Sequence, residues 1–184
     1  KRQEETSSSS ATGIIMDPET GEVLAMATTP GFDNNHFGST RPEFHRIRSI
    51  TDQFEPGSTF KVVSTVSALY DGLISLHDEF NCENGSFEYH TKKITDHESY
   101  SMLTASQIIH HSSNIGIIKI MDQVGRKKLF SMSRDFGFGS KTGINLNGEV
   151  SGKLNHYNDW SAVSLGMIAM GHEVGVTAIQ LASA

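Results

Sequence analysis

The sequence predicts an α+β fold. Three observations carry that reading: a β-prone hairpin near the start, a central series of segments with helical periodicity, and a return to β-prone and turn-rich sequence near the end. Repeated βαβ units would alternate strand and helix along the whole chain, and this order does not. No internal repeat is present. The 184 residues suffice for one medium domain with its own core.

Residues 1–10, Lys-Arg-Gln-Glu-Glu-Thr and four serines, lack apolar periodicity and read as a mobile lead-in, with order from Ala11 onward to 184. Thr12–Met16 and Glu22–Ala27 are β-prone and flank Asp17-Pro-Glu-Thr-Gly21, whose Pro and Gly suit a hairpin turn. Residues 28–52, with Pro30, Gly31, Asn34, Asn35, Gly38 and Pro42, read as loop. From Ser58 to Tyr70 there is no Gly or Pro, and Val62, Val66, Leu69 and Leu73 recur at helical spacing. Val63 and Tyr70 widen that arc while Ser64, Ser67 and Ala68 keep the other side small, so this helix is placed mid-domain, with Gly72 as its stop. Short β-prone pieces occupy 80–97. Further helices are expected at about 103–111, 115–124 and 127–136, then turns from Gly137 to Gly152 and an apolar stretch, 161–175, that fits strand or helix.

Composition excludes several function classes. The formal charge of −6 argues against a nucleic-acid partner or a polybasic membrane patch. No apolar run approaches the roughly 20 residues that span a bilayer, and no secretory signal is present, so any anchor is expected outside this stretch. A lone cysteine, Cys82, rules out an internal disulfide and a zinc–thiolate cluster. The histidines are scattered, adjacent His110 and His111 point to different sides of a helix, and no metal-binding spacing occurs. The chain opens on Lys1 and closes at Ala184 inside an apolar pattern from Thr177 that reads as the first turns of a helix, as expected of an excised piece.

Two groupings can carry chemistry. In Glu55-Pro-Gly-Ser-Thr-Phe-Lys61, Ser58 and Lys61 lie one helical turn apart on one face, so the amine can serve a serine nucleophile. The helix N-terminus adds unpaired N–H groups and a positive dipole end that favour a developing oxyanion. In Ser112-Ser113-Asn114, Ser112 can relay a proton and Asn114 can hydrogen-bond Lys61 or a substrate amide. With 23 Ser, 9 Lys and 9 Asn in the chain, each spacing is expected about once by chance. Taken alone, the spacing favours Ser58 as a helix cap beside a solvated Lys61, and the 112–114 run reads as a capping turn.

Context supplies what spacing does not. Met16-Asp-Pro-Glu-Thr-Gly-Glu-Val-Leu-Ala-Met-Ala27, Pro30-Gly-Phe-Asp33 and Arg48-Ser-Ile-Thr-Asp-Gln-Phe-Glu-Pro-Gly-Ser-Thr-Phe-Lys-Val-Val63 closely resemble the transpeptidase domain of high-molecular-weight penicillin-binding proteins. The likeness continues in order through Ile94-Thr-Asp96, Ser112-Ser-Asn-Ile-Gly116, Phe136-Gly-Phe-Gly139, Gly148-Glu149 and Gly171-His-Glu-Val-Gly-Val-Thr177. Trp160–Leu165 with Gly171–Val174 is most similar to the class B, division-type members.

The resemblance implies an antiparallel sheet packed between helices, no cofactor, and a membrane-anchored protein whose catalytic face lies outside the cytoplasmic membrane. It implies Ser58 as the acylated serine, Lys61 as its base, and Ser112 and Asn114 as a second motif that also contacts substrate. It implies peptidoglycan stem peptides as substrates, β-lactams as covalent inhibitors and other cell-wall synthesis proteins as partners. A class D-like β-lactamase or β-lactam sensor shares Ser-Thr-Phe-Lys, but Pro56-Gly57, Asn114 and the hairpin favour the transpeptidase. The non-enzymatic alternative is a scaffold module of cell-wall assembly.

Lys141-Thr142-Gly143 spells the family's third motif, yet it follows Phe136-Gly-Phe-Gly139 and precedes Ile144–Glu149, upstream of where an active-site strand belongs. It is read as a decoy. The true third motif is then expected beyond Ala184, and this stretch alone is expected to acylate slowly or not at all. Bringing a lysine to near neutrality takes roughly 4.6 kcal/mol of preference for the uncharged form, so Lys61 is expected to stay protonated here. Asp96 reads as a hydrogen-bonding turn residue, Arg48 and Asp52 as a local ion pair, and Glu149 and Trp160 as fold supports.

Overall fold

The computed structural model describes residues 2–184. Residues 1–10, expected as a lead-in, carry one helical turn, α1 (Arg2–Glu5), and Gln3 accepts a hydrogen bond from Thr29 Oγ1 at 3.0 Å. Lys1 lies outside the described residues.

The hairpin forms from β1 (Ala11–Met16) and β2 (Val23–Thr29), antiparallel with a bulge at Ile15/Met16. Asp17 Oδ1 accepts the amides of Glu19 and Thr20, which closes the turn. The loop that follows is broken by two 3-10 turns, Asn34–Ser39 and Pro42–His45, and leads into α2 (Arg48–Thr51). As expected, Arg48 Nη1 pairs with Asp52 Oδ2 at 2.8 Å, and Arg46 joins the same carboxylate.

Next come α3 (Lys61–Leu69), β3 (Glu79–Asn81), β4 (Ser86–Tyr89), β5 (Lys92–Thr95), β6 (Met102–Thr104) and α4 (Ala105–His110). The helices α5 (Asn114–Val124), α6 (Arg126–Asp135), α7 (Ser164–Ala169) and α8 (Ala178–Ser183) complete the order. The ambiguous 161–175 stretch is therefore helical in its first half. The α+β class holds. The antiparallel pairing is divided, however, among three two-stranded sheets, β1–β2, β3–β6 and β4–β5. The hairpin packs on α2 and α8 and leaves Ile15 and Leu24 62% and 60% exposed.

The core centres on α5, whose Ile115, Ile117, Ile118, Ile120 and Met121 are fully buried against α3, α4 and α7. Ser113 and Thr104 cap α5 and α4 through side-chain bonds to Gly116 and Gln107 amides. One expectation holds only in part at α3. The middle of the Val62, Val66, Leu69, Leu73 stripe, Val66 and Leu69, packs half-buried against the core, while its ends do not: Val62 is 55% and Leu73 48% exposed. The buried face is the small one, Val63, Ser64, Thr65, Ser67 and Ala68. Small side chains let α3 approach its neighbours closely. Their hydroxyls are satisfied by carbonyls, Ser64 Oγ donating to Ala169 O at 3.0 Å and Ser67 Oγ to Ser64 O at 2.6 Å.

Candidate active site

Ser58 sits in a 3-10 turn, Gly57–Phe60, that runs straight into α3. A 3-10 turn has three residues per repeat, so positions i and i+3 eclipse, which stacks residue 58 over residue 61 more closely than an α-helix would. Ser58 is exposed, and its hydroxyl makes no hydrogen bond among the described residues. Lys61 is the reverse, 3% exposed inside the protein.

The Lys61 amine is gripped by the turn between α4 and α5. Its Nζ lies 2.6 Å from Ser112 O, 3.1 Å from Ser112 Oγ and 2.7 Å from Asn114 Oδ1. Three of the four predicted residues thus meet at one nitrogen, and Ser58 stands at the head of the same helix. The partners constrain the chemistry. Ser112 O and Asn114 Oδ1 only accept, so an uncharged amine spends both N–H groups on them. Its lone pair is then free for a hydroxyl proton, from Ser112 or from a serine brought alongside. Burial pushes the Lys61 pKa from 10.5 down to about 8, with the Asp96 charge pulling the other way. About a tenth of the amine is uncharged at pH 7. The expectation of a mostly protonated lysine holds at neutral pH by a narrower margin than the sequence indicates.

The serine's segment is stitched to a distant part of the chain. Gly57, at φ +58°, donates its amide to Gly171 O at 3.1 Å, and Phe54 and Val176 exchange both backbone hydrogen bonds. Gly171, at φ +83°, has no room for a side chain: a Cβ there would lie 2.1 Å from Gly57 O. Glu55 closes the seam, Oε2 meeting His172 Nδ1 at 2.9 Å and Oε1 accepting the Glu173 amide at 2.9 Å. The His172 hydrogen bond, with the Glu173 amide, holds the Glu55 carboxyl below its usual range. A cleft of about 260 Å³, lined by residues including Gln53, Glu55, Lys153 and Glu173, opens along this seam. The supporting roles of Glu55 and Gly171 have no local signal in the sequence; their partners lie more than a hundred positions away.

The other sequence expectations resolve individually. Asp96 is a hydrogen-bonding residue: Oδ2 accepts from Ser113 Oγ at 2.6 Å and Oδ1 from the Asn114 and Ile115 amides. Lys141-Thr142-Gly143 lies in a loop, not on a strand, and Glu149 binds it through the Thr142 amide and hydroxyl, both at 2.6 Å, and the Gly143 amide. Burial of Glu149 opposes its charge, but these donors prevail and keep the carboxyl below its usual range. Trp160 is buried, with Nε1 donating to Asn155 O at 2.9 Å. Among the described residues no cluster of His, Cys, Asp or Glu fits a metal ion, and no helix is long and apolar enough to cross a membrane.

The profile described as the penicillin binding protein transpeptidase domain matches residues 11–184. The chain belongs to that family. It is 35% identical over 173 residues to peptidoglycan D,D-transpeptidase FtsI of Escherichia coli K12, covering 94% of this chain and 29% of the relative. It is 31% identical over 175 residues to the probable peptidoglycan D,D-transpeptidase PbpC of Pseudomonas aeruginosa, covering 95% and 31%. The fold of the transpeptidase domain of Burkholderia pseudomallei penicillin-binding protein 3, in its apo structure, superposes with a TM-score of 0.84 at 26% identity, covering 98% of this chain and 50% of that one. The chain therefore spans less than a third of these curated relatives, and the resemblance to the class B members drawn from its motifs holds.

Proposed function

We propose that this chain is the serine- and lysine-bearing part of a peptidoglycan D,D-transpeptidase. Ser58 is its nucleophile, Lys61 its base, and Ser112 and Asn114 its proton relay and amide contact. The observation that carries the reading is the buried Lys61 amine, held by two obligate acceptors with its pKa brought to about 8, at the foot of the turn that bears an exposed, unbonded serine.

In the first half-reaction Ser58 Oγ attacks the carbonyl carbon of the penultimate D-Ala of a stem peptide as its proton passes to Lys61 Nζ. The amide C–N bond breaks, and the terminal D-Ala leaves with a proton returned from Lys61, by way of the Ser112 hydroxyl. In the second half-reaction the amine of a neighbouring stem attacks the acyl-enzyme ester, gives up its proton along the same path and frees Ser58. A β-lactam undergoes the first half only, because its leaving nitrogen stays tethered to the acyl group. The full protein is read as membrane-anchored with this centre on the outer side of the cytoplasmic membrane, acting beside other cell-wall synthesis proteins. The third motif is assigned to a part of the protein outside this stretch, a reading supported by the binding of Thr142 and Gly143 to Glu149.

The test is intact-mass and peptide-mapping analysis of the full natural protein after labelled penicillin. A persistent adduct on the Ser58 peptide, absent in Ser58→Ala, is expected. An undiminished adduct in that variant, or rapid turnover of the drug, refutes the assignment.

A further inference from the structure

We infer that Asp96 is a positioning residue for the acylating centre: its carboxylate clamps the Ser112–Asn114 turn in the geometry that grips Lys61, and its negative charge acts on that amine. The inference rests on Lys61 as the base and adds a fifth residue to the machinery.

The clamp starts from a strained backbone. Ser112 is not glycine yet has φ +56°, a left-handed conformation that costs an L-residue about 1–2 kcal/mol. That conformation aims both Ser112 O and Ser112 Oγ at Lys61 Nζ. Relaxation to negative φ would swing the carbonyl away, so something must hold the turn. Asp96 meets the residues immediately after Ser112 through the hydroxyl of Ser113 and the amides of Asn114 and Ile115, at 2.6, 2.5 and 3.1 Å. Two of the orphan amides opening α5 are thereby satisfied by a side chain from another element. The carboxylate is itself anchored, because the Asp96 amide donates to Gly85 O at 3.1 Å and the adjacent Thr95 O accepts Asn114 Nδ2 at 3.0 Å. The end of the β4–β5 pair is thus the fixed frame against which the turn is set.

Electrostatics runs through the same atoms. Lys61 is buried among neutral partners, and Asp96 is the charged group that acts on it. The other titratable groups around the carboxylate are Cys82, whose Sγ lies 3.7 Å from Ser113 Oγ, and Tyr100. Lys119 of α5, paired with Glu83 at 3.0 Å, faces the Cys82 side. His97 and Glu98 follow in the chain, and Glu98 accepts from Tyr100 Oη at 2.7 Å, which also meets His111 Nδ1.

Asp96→Asn and Asp96→Ala in the full protein separate the two effects. The Asn variant keeps an acceptor for the α5 amides and loses the charge, so Lys61 becomes easier to deprotonate. The rate of Ser58 acylation by labelled penicillin is expected to keep its plateau within about tenfold, while its rising limb moves to lower pH. The Ala variant frees the turn, and the plateau is expected to fall about 10²-fold, the cost of a displaced catalytic group. A purely structural role would lower plateaus without moving the limb. Titration of Lys61 by ¹⁵N-lysine NMR in parent and Asp96→Asn gives a second readout that does not depend on acylation: a lower midpoint in the variant supports the inference even if the protein is not labelled at Ser58, which would refute the proposed function alone. An unmoved midpoint, or a parent-like plateau in Asp96→Ala, overturns it. Thermal melting shows whether Asp96→Ala folds; if it does not, Asp96→Asn decides.

Discussion

Replacing Asn114 with Asp would put a full negative charge where an amide oxygen now accepts from Lys61 Nζ at 2.7 Å. The Lys61 pKa is lowered by burial from 10.5 to about 8, so the site favours the uncharged amine. An opposite charge in direct contact favours the ammonium by about 1–3 pH units, which carries Lys61 to about 9–11. The base works uncharged, so the sign is fixed: a raised pKa removes base at neutral pH and moves the rising limb of the acylation rate to higher pH. At pH 7 the uncharged fraction falls from about a tenth to between about 10⁻² and 10⁻⁴, a loss of roughly 10- to 1,000-fold in rate. Fluorescent penicillin, followed under pseudo-first-order conditions in the full protein across pH, reads both quantities. Any contact of Asn114 with the drug alters the plateau, whereas the limb reports Lys61 alone. A limb at the parent's pH with only a lowered plateau would refute the assignment of Lys61 as the base.

Three further outcomes follow from the geometry. Gly171→Ala must seat a Cβ 2.1 Å from Gly57 O at a left-handed φ; a loss of about 3 kcal/mol or more is expected, read as a melting point lower by roughly 6–12 °C, together with slowed acylation. Lys141→Ala is expected to acylate within about twofold of the parent, and a hundredfold loss in that assay would restore Lys141 to the site. Glu149→Ala removes the acceptor of three hydrogen bonds and should cost about 2–3 kcal/mol in denaturant unfolding at neutral pH. Because the folded Glu149 pKa lies below its ordinary 4.5, its contribution is complete above that value and fades as pH falls through the folded one. Parent and variant should therefore converge in acid.

What the sequence made legible was local. The turn chemistry of Asp17–Gly21, the start of a helix near Thr104 and the helix over 115–124 all rest on signals within a few residues, and each forms as read. Lys61, Ser112 and Asn114 could be grouped because collinear motifs tied them together, and the structure brings them to one nitrogen. The mid-domain placing of α3 was legible, but its most deeply buried face was not, because periodicity counts apolar residues whereas this helix is seated most closely by small ones such as Ser64, whose hydroxyl finds the Ala169 carbonyl. The Glu55–His172 contact and the Gly57–Gly171 approach were not legible at all: each joins residues more than a hundred positions apart, and neither partner carries a mark of the other.

That separation has a consequence for biosynthesis. The segment presenting Ser58 is made more than a hundred residues before the strip at 171–176 against which it is braced. Until then the nascent chain can already form the α3 to α6 helices, whose contacts are comparatively local, yet it lacks the brace behind its serine. Reactivity toward a penicillin should therefore stay low while helix content grows and arrive only after this strip and the third motif assigned outside this stretch have both been made.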